Sequence, residues 1–221
     1  MAERDWYEWH APYDDPDSGL SRRLAWVQDR VRAALDEAPP GPLRVLSLCA
    51  GQGRDLIVPL REHPRRDDVT ARLVEMDPRN AAEARRLAAE AGLDNLEVVI
   101  GDAALTSQYA DMVAAGLVLV CGVFGNITNA GVERVIGYCT QLCATGGTVV
   151  WTRGRWEPDL VPQVCAWFEG RGFERVWLSA PGSLQCCGAH RFTATPAPLE
   201  RDAVMFRFND RDVRRGPDCG G

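Results

Sequence analysis

The feature that most narrows the fold is an alternation. Between residues 43 and 193, short runs of β-type composition take turns with longer runs of helical periodicity. Residues 43–48, 71–75, 96–100, 117–121 and 148–152 read as strands, and residues 55–62, 79–91, 106–114 and 130–142 between them read as helices. A helix between two strands returns the chain in its original direction, so the pattern predicts an α/β fold, a parallel sheet covered by helices on both faces. After a Pro-containing helix near residues 158–169, two more strands, 173–178 and 184–193, are joined by a short link containing Pro181 and Gly182. Such a link implies an antiparallel hairpin, and the sheet should end on a reversed strand. Ahead of the alternation, Leu20, Leu24, Val27, Val31 and Leu35 recur at spacings of three and four, an amphipathic helix over residues 18–37 with Ser18 as N-cap. Pro39, Pro40, Gly41 and Pro42 stop it.

A chain of 221 residues fills one hydrophobic core and is too short for two ordinary domains. The expectation is one domain over 1–221: an N-terminal segment and helix (1–42), a core (43–194) and a tail (195–221). The opening, MAERDWYEWH, carries acids and aromatics where a secretory signal needs a basic and then an apolar stretch. No apolar run nears the roughly 18 residues of a membrane span, so a cytoplasmic protein is expected. There its eight cysteines are read as reduced, buried thiols. No two form a C-x-x-C pair, and the three histidines, at 10, 63 and 190, are far apart, so no metal is expected.

All 25 basic residues are arginine. Without lysine there is no Walker A phosphate loop, no pyridoxal Schiff base and no Ser-Lys dyad, since guanidinium cannot replace the amine in any of them. Net charge is −6, which gives phosphate backbones and anionic membranes nothing to attract, so neither nucleic acid nor membrane is an expected partner. The pairs Arg22-Arg23, Arg65-Arg66 and Arg214-Arg215 are matched by nearby acids and read as solvated faces.

In an open parallel sheet, ligands bind beyond the carboxyl ends of the strands. The first strand runs into Cys49-Ala50-Gly51-Gln52-Gly53, where glycine lets the backbone approach a ligand. The second ends at Glu75, Met76 and Asp77, placing Glu75 22 positions after Gly53, where a carboxylate can hold a ribose diol. The third ends at Gly101, Asp102 and Ala103, a second acid suited to an exocyclic adenine amine. Asp77 and Asp102 also each precede a helical run, where capping is an alternative or additional role.

These residues resemble the class I S-adenosylmethionine-dependent methyltransferases, in particular small bacterial Rossmann-like members. The run VLSLCAGQG over 45–53 is similar to the family's glycine-rich first motif, Glu75 to its ribose-binding acid, and Gly101-Asp102-Ala103 to its adenine-side motif. Residues 117–125 resemble its fourth strand, with Cys121 and Gly122 at the cofactor, and 146–151 its fifth. The resemblance implies a Rossmann-like three-layer αβα sandwich with a seven-stranded sheet, S-adenosylmethionine as cofactor, and methyl transfer. Ser47 stands where the family usually has an acid, and Cys49 where it has its first glycine. An NAD-dependent oxidoreductase is a weaker alternative, because Leu56 occupies the third glycine position of G-x-G-x-x-G. A third reading is a cofactor-binding protein that transfers nothing, or a cyclase on the same fold.

Transfer from a sulfonium is an in-line displacement that needs alignment and exclusion of water more than metal or covalent chemistry. His10 is the candidate base, since imidazole alone titrates near neutral pH, and it lies in an aromatic stretch (6–15, with Tyr13) able to fold over the pocket as a lid or simply to pack on the domain. Asn126 and Thr128 beyond the fourth strand, and Arg153 and Arg155 beyond the fifth, should face the acceptor. The arginines alternatively pair with Glu157 or Asp159. His190 reads as a hydrogen-bonded core residue and His63 as part of a surface turn. The expected partner is a small-molecule acceptor, with the protein a monomer or homodimer.

Overall fold

The computed structural model describes residues 5–209. Seven strands form one sheet: β1 (Leu43–Leu48), β2 (Val69–Glu75), β3 (Leu96–Ile100), β4 (Ala115–Val120), β5 (Cys143–Gly154), β6 (Phe173–Leu178) and β7 (Gln185–Phe192). Their order is β3-β2-β1-β4-β5-β7-β6. All neighbours are parallel except β7, which runs antiparallel to both β5 and β6, so only the last strand is reversed. This is the αβα sandwich expected from the sequence. Five helices cover it: α1 (Gly19–Glu37), α2 (Arg54–Arg61), α3 (Pro78–Glu90), α4 (Asn129–Leu142) and α5 (Val161–Glu169).

The strands alternate their side chains between two apolar layers. Val45, Leu117, Leu119 and Val150 pack with Val27, Val31 and Leu35 of α1, Leu56 and Ile57 of α2, and Ala81 and Ala84 of α3. Leu46, Leu48, Val118, Val120 and Trp151 pack on the other face with Val135 and Ile136 of α4 and Phe168 of α5. Each fully buried Leu, Ile or Val contributes roughly 1.5–3 kcal/mol, which makes these layers the main source of stability. Three helix starts are set by side chains. Ser18 Oγ accepts from Ser21 N (3.0 Å), Asp77 Oδ1 from Arg79 N (2.9 Å) and Thr128 Oγ1 from Gly131 N (3.0 Å).

Three sequence expectations need correction. Residues 106–114 do not form a helix; a single 3-10 turn, Thr106–Tyr109, is all that develops. The competing structure is long-range: Thr106 N donates to Ala203 O (3.0 Å), Ala203 N donates back to Thr106 Oγ1 (3.0 Å), and Leu105 bridges Val204. Tyr109 then turns inward, its hydroxyl donating to Ala103 O (2.9 Å). His63 belongs to a turn, but its ring is buried, with Nε2 3.2 Å from Asp36. Arg65 is no solvated pair member either, because it donates to the carbonyls of Leu35, Ala38 and Gly41 and so terminates α1. Arg214, Arg215 and Cys219, also read from the sequence, lie outside the described residues. Among the described residues no helix is long and apolar enough to cross a membrane.

Candidate active site

The strand order reverses at β1, whose neighbours are β2 and β4. Past the carboxyl ends of β1 to β4 lies a cleft of about 2280 Å³. Single-ligand pockets usually hold about 300–1,000 Å³, so two small molecules fit side by side.

The first wall is the glycine turn after β1. Cys49, Gly51 and Gly53 all have left-handed backbone angles, with φ of 51°, 55° and 69°. At Gly53 a Cβ would come within 2.8 Å of both Ile57 and Leu73, so only glycine fits there. Glu75 Oε2 accepts from Gly51 N (2.8 Å) and Oε1 from Asp77 N (2.8 Å), tying the end of β2 to the turn. Burial pushes the Glu75 carboxyl up, while these backbone donors oppose the shift. Asp77 both caps α3 and lines the cleft, its pKa lowered chiefly by the Arg79 guanidinium. Asp102 lines it as well but caps no helix; its Oδ1 accepts from Ala104 N (2.9 Å) in a turn. Met76, 62% exposed, offers apolar surface between these two acids. Gly122 and Gly125 beyond β4 face space in which an added Cβ would meet nothing within 4 Å. Gly122 itself is fixed by donating its N–H to Thr152 Oγ1 (2.8 Å).

The second wall is built by both ends of the described chain. Residues 5–17 cross the glycine turn, and a Cβ on Gly51 would lie 2.3 Å from His10 Nε2. The segment is fastened by Arg79, which donates to both Asp5 oxygens (2.7 and 3.0 Å) and lies over Tyr7, and by Arg54 to Asp14 (2.7 Å). Residues 203–209 come from the far end. Met205 N donates to Ala104 O (2.8 Å) and Asn209 N to Asn126 O (2.8 Å). The two segments meet where the Trp6 and Phe208 rings lie 5.7 Å apart. The stretch read from sequence as part of a tail is therefore a wall of the cleft.

Of the residues singled out from the sequence, Cys49, Gly51, Gly53, Glu75, Met76, Asp102, Ala103, Cys121, Gly122, His10, Tyr13, Asn126, Thr128 and Arg153 all line this cleft. Gly101 and Arg155 are not among the lining residues. Gly101 sits beneath Gln108, which an added Cβ would meet at 2.8 Å. Arg155 is held by Asp159 Oδ2 (3.0 Å) and Ser179 O (3.3 Å), the ion-pair alternative. Arg153 donates to Phe124 O and to Asn129 Oδ1 (3.5 Å), and Asn126 Nδ2 to Gly122 O (2.6 Å). His10 Nδ1 lies 2.7 Å from Trp6 O, and burial lowers the imidazole pKa.

Several lining residues escaped the sequence reading, Arg23, Asp55 and Phe206 among them. Arg23, taken for half of a solvated pair, is 8% exposed and donates to Tyr13 Oη (2.7 Å). Asp55 lies in the first turn of α2, its Oδ1 buried without a hydrogen-bond partner. The one available signal for Arg23 was its register with Val27, on the apolar side of α1.

A sheet that reverses only its last strand and opens past β1 to β4 is the architecture of the class I methyltransferases. Residues 18–168 match the profile of a family described as "Putative methyltransferase", and the chain belongs to that family. No curated protein matches it. Among solved structures, an O-methyltransferase family protein from Burkholderia thailandensis is similar with TM-score 0.62 and 18% identity, over 79% of this chain and 57% of that one. An O-methyltransferase family 2 protein from Planctomyces limnophilus, in complex with apigenin, gives 0.60 and 17%, over 78% and 59%. Magnesium protoporphyrin IX methyltransferase from Synechocystis, with bound SAM, gives 0.62 and 13%, over 87% and 100%. This chain thus spans under two thirds of the first two proteins, and at these identities the likeness is one of fold.

Proposed function

We propose that the protein is an S-adenosylmethionine-dependent methyltransferase acting on an oxygen or nitrogen of a small molecule, in the cytoplasm, as a monomer or homodimer. The observation that carries this reading is the cleft's first wall: Glu75 tied to the Gly51 turn, Asp102 one strand further, and open space at Gly122 and Gly125. Polar atoms buried there without partners, Gln52 Oε1, Asn80 Nδ2 and Asp55 Oδ1, fit a polar ligand. When bound, S-adenosylmethionine supplies a methyl group on a sulfonium. Glu75 would take the ribose hydroxyls, Asp102 the adenine amine, and Met76 the flat of the ring.

The acceptor's place is the second wall, where Trp9, Tyr13, Trp156 and Phe206 surround space that suits a planar molecule, the kind of ligand apigenin is in the Planctomyces complex. Residues 5–17 act as a lid that excludes water from the transfer. The acceptor's proton would pass to a base of this chain as the methyl group is transferred. His10 suits that role: a carbonyl can only accept, so Nδ1 carries the hydrogen toward Trp6 O and Nε2 keeps its lone pair. Its lowered pKa keeps it neutral near pH 7.

Titration calorimetry with S-adenosylmethionine and with its demethylated product tests the reading. Saturable binding of both is expected, and no heat at millimolar ligand would overturn it.

A further inference from the structure

The charges that line the cleft are sorted by side. All four acids, Asp55, Glu75, Asp77 and Asp102, come from the start of α2 and from the ends of β2 and β3. Beyond β4 and β5, and along residues 5–17 and 203–209, the described lining holds no acid, and its arginines are Arg153 and Arg207. Elsewhere in the cleft Arg54 pairs with Asp14, Arg79 with Asp5 and Asp77, and Arg23 donates to Tyr13 Oη. Arg207 is exposed and makes no hydrogen bond or ion pair among the described residues. Its backbone is nonetheless fixed, because Met205 N donates to Ala104 O and Asn209 N to Asn126 O, one tie on each side. A guanidinium held at the rim of a cleft and engaged by nothing is complementary to a planar anion.

The surface beside it is aromatic. Phe208 is 38% exposed and stacks on the buried Phe206 with ring centres 5.8 Å apart, Trp156 beyond β5 is 51% exposed, and all three line the cleft. Large rings left this open to water inside a recess are surface that a bound ring system would cover. The first residue of α4, Asn129, opens on the same side, where the positive end of the helix dipole adds to the preference for an anion. In a protein of net charge −6, this recess stands against the general field.

We propose that the methyl acceptor is an aromatic carboxylate bearing a hydroxyl or amino group, its ring system against the aromatic side chains of this side and its carboxylate held by the Arg207 fork. The inference rests on the methyltransferase reading above and names the acceptor for it. Arg207 stands exposed at the rim while His10 lies over the glycine turn, so the carboxylate is the outer end of the acceptor and the accepting oxygen or nitrogen the inner one. Arg207 thus selects the acceptor and takes no part in the transfer.

Paired ligands isolate the charge. Hydroxylated benzoic, naphthoic and anthracene carboxylic acids, each beside its own carboxamide, are titrated into the protein saturated with S-adenosylhomocysteine, with quenching of tryptophan fluorescence as the readout. In the best-fitting pair the acid should bind about five- to tenfold more tightly than the amide, and the advantage should shrink as salt is raised. Arg207→Gln should erase the advantage and leave the amide within about twofold. It should also leave S-adenosylhomocysteine binding unaltered, which shows that the variant is folded, and Arg207→Lys should keep part of the advantage. Acids that bind no better than their amides in every pair, or an advantage that survives Arg207→Gln, overturn the proposal while the cofactor reading stands. So does the failure of every acid to bind. If S-adenosylhomocysteine itself does not bind, the cofactor reading falls, and the acceptor with it.

Discussion

Cys49 occupies a backbone conformation that side chains resist. With φ at 51° its Cβ crowds the following carbonyl, a cost of about 1–2 kcal/mol that glycine escapes. Cys49→Gly should therefore keep stability within about 1 kcal/mol despite losing a partly buried thiol, whereas Cys49→Val should lose about 2 kcal/mol or more, because a β-branched residue fits that region worst. Urea midpoints of the two variants would check this, and equal losses would refute it. His190 sets a second residue-scale expectation. It is fully buried, Trp151 Nε1 donates to its Nδ1 (3.0 Å), and burial pushes its pKa down from 6.5 to about 4. The unfolded chain binds the proton first, so stability is intact above pH 6.5 and falls as pH drops from there toward 4, by up to about 3 kcal/mol. Asp55 works in the opposite sense. Burial raises it from 3.8 to about 6, so its contribution declines as pH rises over that interval. In His190→Gln the acid-side loss should shrink, and unfolding at pH 7 and pH 4.5 measures it; an unchanged pH slope would count against this account.

At the scale of elements, the segment 5–17 has little interior of its own and depends on its fastenings. The Asp5–Arg79 and Asp14–Arg54 pairs are exposed, and such pairs add little to global stability. Their effect should appear in local opening. Replacing both acids by Asn should leave the melting temperature within about 2 °C and speed release of S-adenosylhomocysteine several-fold in stopped-flow measurements. A large fall in melting temperature with unchanged release would show a structural tie and no lid. The sequence disclosed elements unevenly for a related reason. β1, β3 and β6 could be read to the residue because each is a short run of β-type residues set off by its flanks, β1 almost wholly buried and β3 and β6 more exposed at the two edges of the sheet. Residues 106–114 misled because helical spacing is local, while the pairing of Thr106 with Ala203 spans 97 positions and leaves no periodic trace. The glycine turn and the two acids were legible because their spacing follows from the strand–turn–helix order. Arg23, Asp55 and Phe206 were not, since only packing shows that an arginine on an apolar helix face and an aromatic in a tail reach the same cleft.

At the scale of the molecule, the sheet fixes half of the site and residues 5–17 and 203–209 fix the other half. The half built on β1 to β4 is preformed by buried strands, and the half built by residues 5–17 and 203–209 rests on a few polar ties and the Trp6–Phe208 contact. Rigidity and adaptability are thus divided along the cleft, which suits an invariant cofactor beside an acceptor that must come and go. The meeting of both ends over one opening also governs how the protein can be handled. A label carried on Asp5 or on Asn209 sits beside the mouth and competes with whatever enters it. Asp94 and Asn95, in the turn between α3 and β3 and beyond the buried Leu93, are exposed at the amino edge of the sheet, on the opposite side of the molecule. A reporter inserted there leaves the opening clear, so an internal label is the sounder choice for following ligands into this cleft.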